Sequence, residues 1–401
     1  MHLVETYALQ CGAKIHKPFI YETFFPIPIE KYITFQAQSQ QNIDAKNYSY
    51  WQDVIDMIYP ILLKNNISIL QVGLPYEAPY GRVVDLRGAT SINQLAYLMK
   101  GSLLHFGPDS FGIHLGSHYD IPIVALYSST RPEIAGPYFS SKDKTILFKC
   151  YERVGNKKPS YALQENPKSI NKILPEEIAN AILKLLNINF VLPIQTVHLG
   201  DRYSNVLIRE LIPNHPSNIG NPDSPVEVRI DKFLDEQLLA HHLNYLKKAI
   251  LVTDKPINLN LLRYFKGNIP TIVYKIPEYD DIEFVRNVIS IGIPIVLSSE
   301  LPDDKLLPKK INYYEFGPIT RTGVINEKIR QELLPKIDKL YFKSSKIVIS
   351  QGQIFYSFSA LDNNTPSQNN QEYQKAVDSP LFWRDLDFYT IVEKLDTPIT
   401  T

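Results

Sequence analysis

Residues 85–138 read DLRGATSINQLAYLMKGSLLHFGPDSFGIHLGSHYDIPIVALYSSTRPEIAGPY. Within them SINQLAYLMKGS carries apolar residues at helical spacing, LLHFGP is a short buried-strand run, FGIHLGSHY is helical again, and PIVALYSS is a second β-rich run. A strand that turns through Asp109 and Ser110 directly into a helix, with another strand behind it, is a piece of parallel sheet wrapped by helices. At such a turn the first helix amides lack intrahelical partners, and with the helix dipole they favour an anion.

The pattern extends outward on both sides. KYITFQA (31–37) and ISILQVG (67–73) read as strands around an amphipathic helix, WQDVIDMIYPILLKN (51–65), and PEEIANAILKLLNI (175–188) closes the region as a helix with Pro175 in its first turn. Beyond Leu192 and Pro193, TVHLG, AILVTD, TIVYKI, PIVLSS and INYYEF are candidate strands. DEQLLAHHLNYLKK, LNLLRYFKG and DIEFVRNVISIGI are candidate helices among them, so a second doubly wound sheet of about five strands is expected between Thr196 and Phe316. Residues 360–379 are rich in Asn, Gln, Ser and Asp and read as a polar loop. In LFWRDLDFYTIVEKL (381–395), Phe382, Leu386, Tyr389 and Val392 recur at helical spacing, and the expected helix has too wide an apolar surface for one neighbour. It is therefore expected to cross to the first domain. The expected organisation is a domain over 1–190, a second α/β domain over 191–358, the polar loop over 359–380, and a C-terminal helix and tail over 381–401.

A chain of 401 residues suits two domains. Its 42 basic and 42 acidic side chains balance, and no block of like charge marks a protein that tracks nucleic-acid phosphates. Cys11 and Cys150 are far apart and form no Cys-x-x-Cys pair, so neither a disulfide framework nor a zinc site is expected. No signal-peptide pattern and no run of eighteen apolar residues occurs, which points to a cytoplasmic chain with no membrane span.

Several segments in order resemble the donor-binding half of the glycosyltransferase family-nine, heptosyltransferase-like enzymes. These are Gly88, Thr90 and Ser91 before a helix; Asp109, Ser110, Gly112, His114, Leu115 and Gly116 across the strand-to-helix turn; PIVAL at 122–126; and Gly136 with Pro137. Phe111 stands where that family has a glycine. Upstream, Ser39 and Lys46 fall on the polar loop and the lysine that precede a helix, and Gly73 with Glu77 match a glycine followed by a glutamate that contacts nucleoside or sugar.

The resemblance covers residues 1–190 and implies a GT-B-like fold of two Rossmann-like α/β domains, apparently permuted so that the donor-binding domain comes first. It implies an inverting, metal-independent transfer from a nucleotide-diphosphate sugar, with no cofactor. The acceptor is open: saccharide, glycolipid, protein or modified nucleic acid. Ser39, Lys46, Glu77, Asp109, Ser110, Gly112 and His114 would hold the donor, Lys46 acting as the cation near the diphosphate and contributing little to folding. The family's catalytic base comes from a domain that here has no room ahead of the first. Asp201, just after a candidate strand, is the candidate base, while Arg202 beside it, and Arg321 in a similar setting, would steady a leaving diphosphate. A noncatalytic nucleotide-sugar-binding or assembly protein is the competing expectation.

Other motifs lead elsewhere. Asp385 and Asp387 resemble a metal-binding Asp-x-Asp, but on a helix their carboxylates diverge and both read as solvated surface. His241 and His242 are adjacent on a helix with no third ligand.

Overall fold

In a computed structural model that describes residues 1–39, 43–204, 207–218, 220–366 and 373–395, the chain divides into two units. One comprises Met1–Thr196 with Leu395, and the other Val197–Lys394.

The first unit holds six strands: β1 (Tyr32–Gln36), β2 (Ser68–Val72), β3 (Val84–Asp85), β4 (His105–Pro108), β5 (Ile123–Tyr127) and β6 (Thr145–Lys149). They are parallel and lie in the order β3-β2-β1-β4-β5-β6. This is the 3-2-1-4-5-6 order of a Rossmann sheet, whose winding reverses between β1 and β4. Its helices include α1 (Leu3–Cys11), α2 (Trp51–Lys64), α3 (Ile92–Gly101) and α4 (Phe111–Tyr119). The helix Pro175–Leu185 begins on proline, as the sequence suggests.

Aromatic packing fixes the loop after β1. Trp51 opens α2 fully buried, edge-on to Phe35, Phe106 and Tyr48. Its indole N–H donates to Ala37 O at 2.9 Å, and the Tyr48 hydroxyl donates to Ile173 O at 2.7 Å. Two buried rings thus pin both ends of the 37–50 segment.

The second unit has an eight-stranded sheet and a smaller one, to which β7 (Ile194–Leu199), beginning at the boundary, belongs. The large sheet comprises β8 (Ile208–Leu211), β9 (Val226–Arg229), β10 (Ala249–Thr253), β11 (Thr271–Lys275), β12 (Ile295–Ser299) and β13 (Ile319–Arg321), with β15 (Lys346–Ser350) and β16 (Gln353–Phe355) after β14 (Leu340–Ser344). Its order is β13-β12-β11-β10-β9-β8-β15-β16, parallel except for the hairpin of β15 and β16. Six successive strands therefore step in one direction, and only β15 adds on the other side of β8. Right-handed crossovers in a single direction place the helices on one face. Leu239, Leu243, Leu262, Phe284, Val285 and Val288 accordingly share one core with Leu251, Ile272 and Leu297. The double winding expected here is confined to that one step.

Two expectations are corrected. INYYEF (311–316) is no strand: the helix Asp303–Asn312 runs into a 3-10 turn, Tyr314–Phe316. Tyr313 is buried and Tyr314 is 86% exposed, and Tyr313 contacts Phe316 at an i, i+3 spacing that belongs to a helix. The expected C-terminal helix is only a short helix, Pro380–Arg384, and a 3-10 turn, Leu386–Phe388, followed by strand β18 (Tyr389–Lys394). With β17 (Gln374–Lys375) it completes a four-stranded sheet, β17-β14-β18-β7. Phe382, Trp383, Leu386, Tyr389 and Ile391 are buried with Leu340 and Phe342 inside the second unit. Thr390, Ile391 and Val392 are β-branched, and pairing with β14 outweighs the helical spacing.

Asp385 is not solvated surface either. Its carboxylate pairs with Lys346 at 3.2 Å, and burial raises its pKa against the pull of that lysine. It belongs to a chain of buried charges running through Lys346, Glu210, Arg229, Asp231 and Lys275. His241 and His242 face the carbonyls of Pro216 and His215 at 2.7 and 2.9 Å. Both cysteines are free thiols, Cys11 exposed and Cys150 buried. Among the described residues no helix is long and apolar enough to cross a membrane.

Candidate functional site

The reversal between β1 and β4 opens a crevice at the carboxyl ends of the strands, the place where α/β sheets bind ligands. A cleft of about 400 Å3 occupies it. Gln36 and Ser39 come from the end of β1, Lys46 from the following loop, Leu74, Tyr76 and Glu77 from the end of β2, and Asp109, Ser110, Phe111 and His114 from the turn into α4. Six of the seven donor-site candidates line it; Gly112 stands behind. All of its walls belong to the first unit.

Asp109 is the hub. It is 5% exposed, and its Oδ2 accepts from Lys46 Nζ at 2.7 Å and from the Thr130 hydroxyl. Its Oδ1 lies 4.0 Å from His114 Nε2. Asp109 does not cap α4: Ser110 is the N-cap residue, and its side chain caps nothing. Burial lowers the pKa of the half-exposed His114 ring, and Asp109 opposes that shift, so the imidazole is favoured as neutral. Lys46 ends the 3-10 turn Asp44–Lys46, held where Ala45 N–H donates to Leu163 O and Ala45 O accepts from the Ser128 hydroxyl at 2.6 Å. Ser39 N–H donates to Asn47 Oδ1 at 2.9 Å. Lys46 is thus mostly buried and paired, a setting in which its loss bears on folding as well as on charge.

Glu77 is 3% exposed. Its Oε1 accepts from Leu74 N–H at 2.9 Å, while Oε2 is buried without a hydrogen-bond partner among the described residues. Burial raises its pKa, with backbone amides of Leu74 and Gln38 and the Arg87 charge pulling the other way. Gly73 makes room for it. A Cβ there would sit 2.4 Å from Glu77 Oε2, and the φ of +145° disfavours any side chain.

Gln36 was not read from the sequence, where a glutamine ending a strand carries no signal. Its Oε1 accepts the Ser110 hydroxyl at 2.9 Å and the Gly112 amide at 3.1 Å, so both groups expected to meet phosphate already have an internal acceptor. Gly112 is required by close approach: a Cβ would lie 2.4 Å from His105 Nε2. Thr130, which braces Asp109, was also missed. Phe111 is 49% exposed on the cleft wall. Asp201 and Arg202 sit exposed in the turn after β7 in the second unit, with Arg202 over the Phe388 ring, and neither lines the cleft. Arg321 pairs with Asp303 at 2.9 Å.

Residues 74–161 match the model of Glycosyltransferase family 9 (heptosyltransferase), a segment that includes Glu77, Asp109, Ser110, Gly112 and His114. Among solved structures, a family-9 glycosyl transferase from Veillonella parvula is 20% identical over 46% of this chain and 50% of its own, with a TM-score of 0.32. The ADP-heptose lipopolysaccharide heptosyltransferase II of E. coli is 15% identical over 46% and 50%, TM-score 0.31. An E. coli heptosyltransferase solved with ADP is 18% identical over 46% and 55%, TM-score 0.28. The matches span about half the length of those structures. No curated protein matches.

Proposed function

We propose that the chain transfers a sugar from a nucleotide-diphosphate sugar to an acceptor hydroxyl, with the donor held in the cleft of the first unit. The observation that carries this reading is the Lys46–Asp109–His114 cluster at the reversal point of the sheet, beside the start of α4, in a cleft that Glu77 also lines. Lys46 and the α4 amides suit a diphosphate, while Asp109 Oδ1 and Glu77 Oε2 are acceptors for sugar or ribose hydroxyls.

In the reaction the acceptor oxygen forms a bond to the anomeric carbon as the bond from that carbon to the diphosphate oxygen breaks. One such displacement inverts the anomeric configuration. The nucleoside diphosphate leaves with the electron pair, its charge balanced by Lys46 and the helix dipole. The acceptor proton passes to a base, for which Asp201 is our candidate.

Calorimetry with a panel of nucleotide-diphosphate sugars tests the site. We expect binding that Asp109→Ala and His114→Ala each weaken by about tenfold or more. Unchanged affinity in both variants removes the assignment. With a donor in hand, Asp201→Asn should lower kcat and leave donor affinity intact; retained turnover places the base elsewhere.

A further inference from the structure

A second cavity, of about 480 Å3, lies behind the donor cleft in the same unit. Phe111 and His114 line both spaces, so the two meet across one wall. Most of the remaining lining comes from α1 (Leu3, Val4, Tyr7), from Ile20 and Leu115, and from the segment that carries Ala135, Tyr138 and Phe139, with His2, Ser117 and His118 as polar members.

This space is held open by its own framework. α1 buries none of its residues; Leu3 is 40% and Tyr7 61% exposed. The helix is fastened at its first turn instead. His2 Nε2 donates to Gly136 O at 3.1 Å while His2 Nδ1 accepts from Val4 N–H at 3.2 Å, and the His2 ring lies 4.7 Å from that of Tyr138. The Tyr138 hydroxyl adds a donor to Glu5 Oε1 at 3.4 Å. Polar clips therefore keep α1 over a chamber that its apolar side chains do not fill. The volume falls within the ~300–1,000 Å3 of small-molecule sites.

The wall chemistry selects the occupant. Ser117 Oγ already accepts from Phe139 N–H at 2.8 Å, and the His2 ring uses both nitrogens. The His118 Nδ1 atom is buried without a partner among the described residues, room for one polar atom. A nucleobase or sugar placed here would leave most of its polar edge unpaired, at a cost of about 1–3 kcal/mol for each lost bond. An uncharged apolar group loses nothing.

We propose that this chamber receives an apolar group, acyl, isoprenoid or aryl, carried by the acceptor whose hydroxyl takes the sugar. The assignment rests on reading the adjoining cleft as the donor site, and it narrows the acceptor to molecules with an apolar portion close to the reacting hydroxyl.

The test is titration of the full chain with N-phenyl-1-naphthylamine, a neutral fluorescent probe, beside calorimetry with a nucleotide diphosphate. We expect one saturable probe site, weakened about tenfold or more by Val4→Trp and by Ala135→Phe, which fill the chamber, with nucleotide affinity little changed. Two variants on different walls guard against the misfolding of one. Dodecanol, farnesol and 4-phenylphenol should compete with the probe, and their ranking separates acyl, isoprenoid and aryl groups. An absent probe site, binding indifferent to both variants, or failure of all three alcohols to compete overturns the proposal. Probe binding that survives while no nucleotide binds overturns the donor reading and leaves the chamber as an apolar site.

Discussion

The side-chain oxygen of Gln36 receives the amide of Gly112 at 3.1 Å, so the opening of α4 holds an internal acceptor before any ligand arrives. A phosphate at that position competes with the Gln36 carbonyl for the Gly112 amide and the Ser110 hydroxyl. Gln36→Ala should therefore tighten inorganic pyrophosphate binding several-fold in calorimetry, at a cost of about 1 kcal/mol in urea unfolding. Weaker binding in the variant would show that Gln36 turns its amide group to the anion.

Lys46 and Asp109 make a mostly buried pair, 14% and 5% exposed. Lys46→Met leaves a buried carboxylate without its cation and should cost about 3–5 kcal/mol, with loss of nucleotide binding. Lys46→Met combined with Asp109→Asn should recover most of the stability and none of the binding. A double variant as unstable as the single one would show that packing of the lysine stem, not charge, is what the fold requires.

His105 is fully buried, its Nδ1 3.0 Å from the Thr34 hydroxyl and its Nε2 without a partner among the described residues; burial lowers its pKa to about 3. The folded pKa lies below the unfolded value, so below about 6.5 the unfolded chain takes up a proton that the folded one refuses. Stability should fall as pH drops from about 6.5 towards about 3, by up to about 1.4 kcal/mol per unit from this group. His105→Gln should flatten that part of the urea midpoint against pH profile. An unchanged slope would assign the acid sensitivity to other groups.

Trp383 is 1% exposed, and its indole N–H donates to Asp378 Oδ1 at 2.6 Å. Trp383→Ala should cost about 3–5 kcal/mol. Truncation after Asp362 removes β18, an inner strand of its sheet, and should abolish cooperative melting of the second unit while nucleotide binding to the first persists. A truncated chain that melts as the intact one does would contradict the described packing.

Much of the first unit was legible because its elements carry local signals: Pro175 at a helix start, β-branched runs for β1 and β5, and an Asp-Ser turn into α4; α1, β3 and β6 have no such signal and were not read. The cleft was legible where charge or glycine marks it, as at Lys46, Asp109 and Glu77. Gln36 and Thr130 act through partners 76 and 21 positions away, which no local pattern reveals. In the second unit, 382–392 satisfies a helical spacing and a β-branched strand equally, and only the long-range partner Leu340–Ser344 decides between them. Short strands such as Ile208–Leu211 and Val226–Arg229 stand among polar turns and draw their identity from the sheet.

Leu395 N–H donates to Pro193 O at 2.8 Å, so the chain leaves the first unit and comes back to it at one spot. Residues 197–394 are thereby a cassette: two closely spaced junctions bound the whole of it, and strands β7 and β18 lie side by side in one sheet at those junctions. A module stitched in this way can be gained, exchanged or lost through a single pair of breakpoints, leaving the six-stranded sheet of the host and its register untouched. Chains that share the segment at 74–161 could in this way acquire different companions without redesigning the part they have in common.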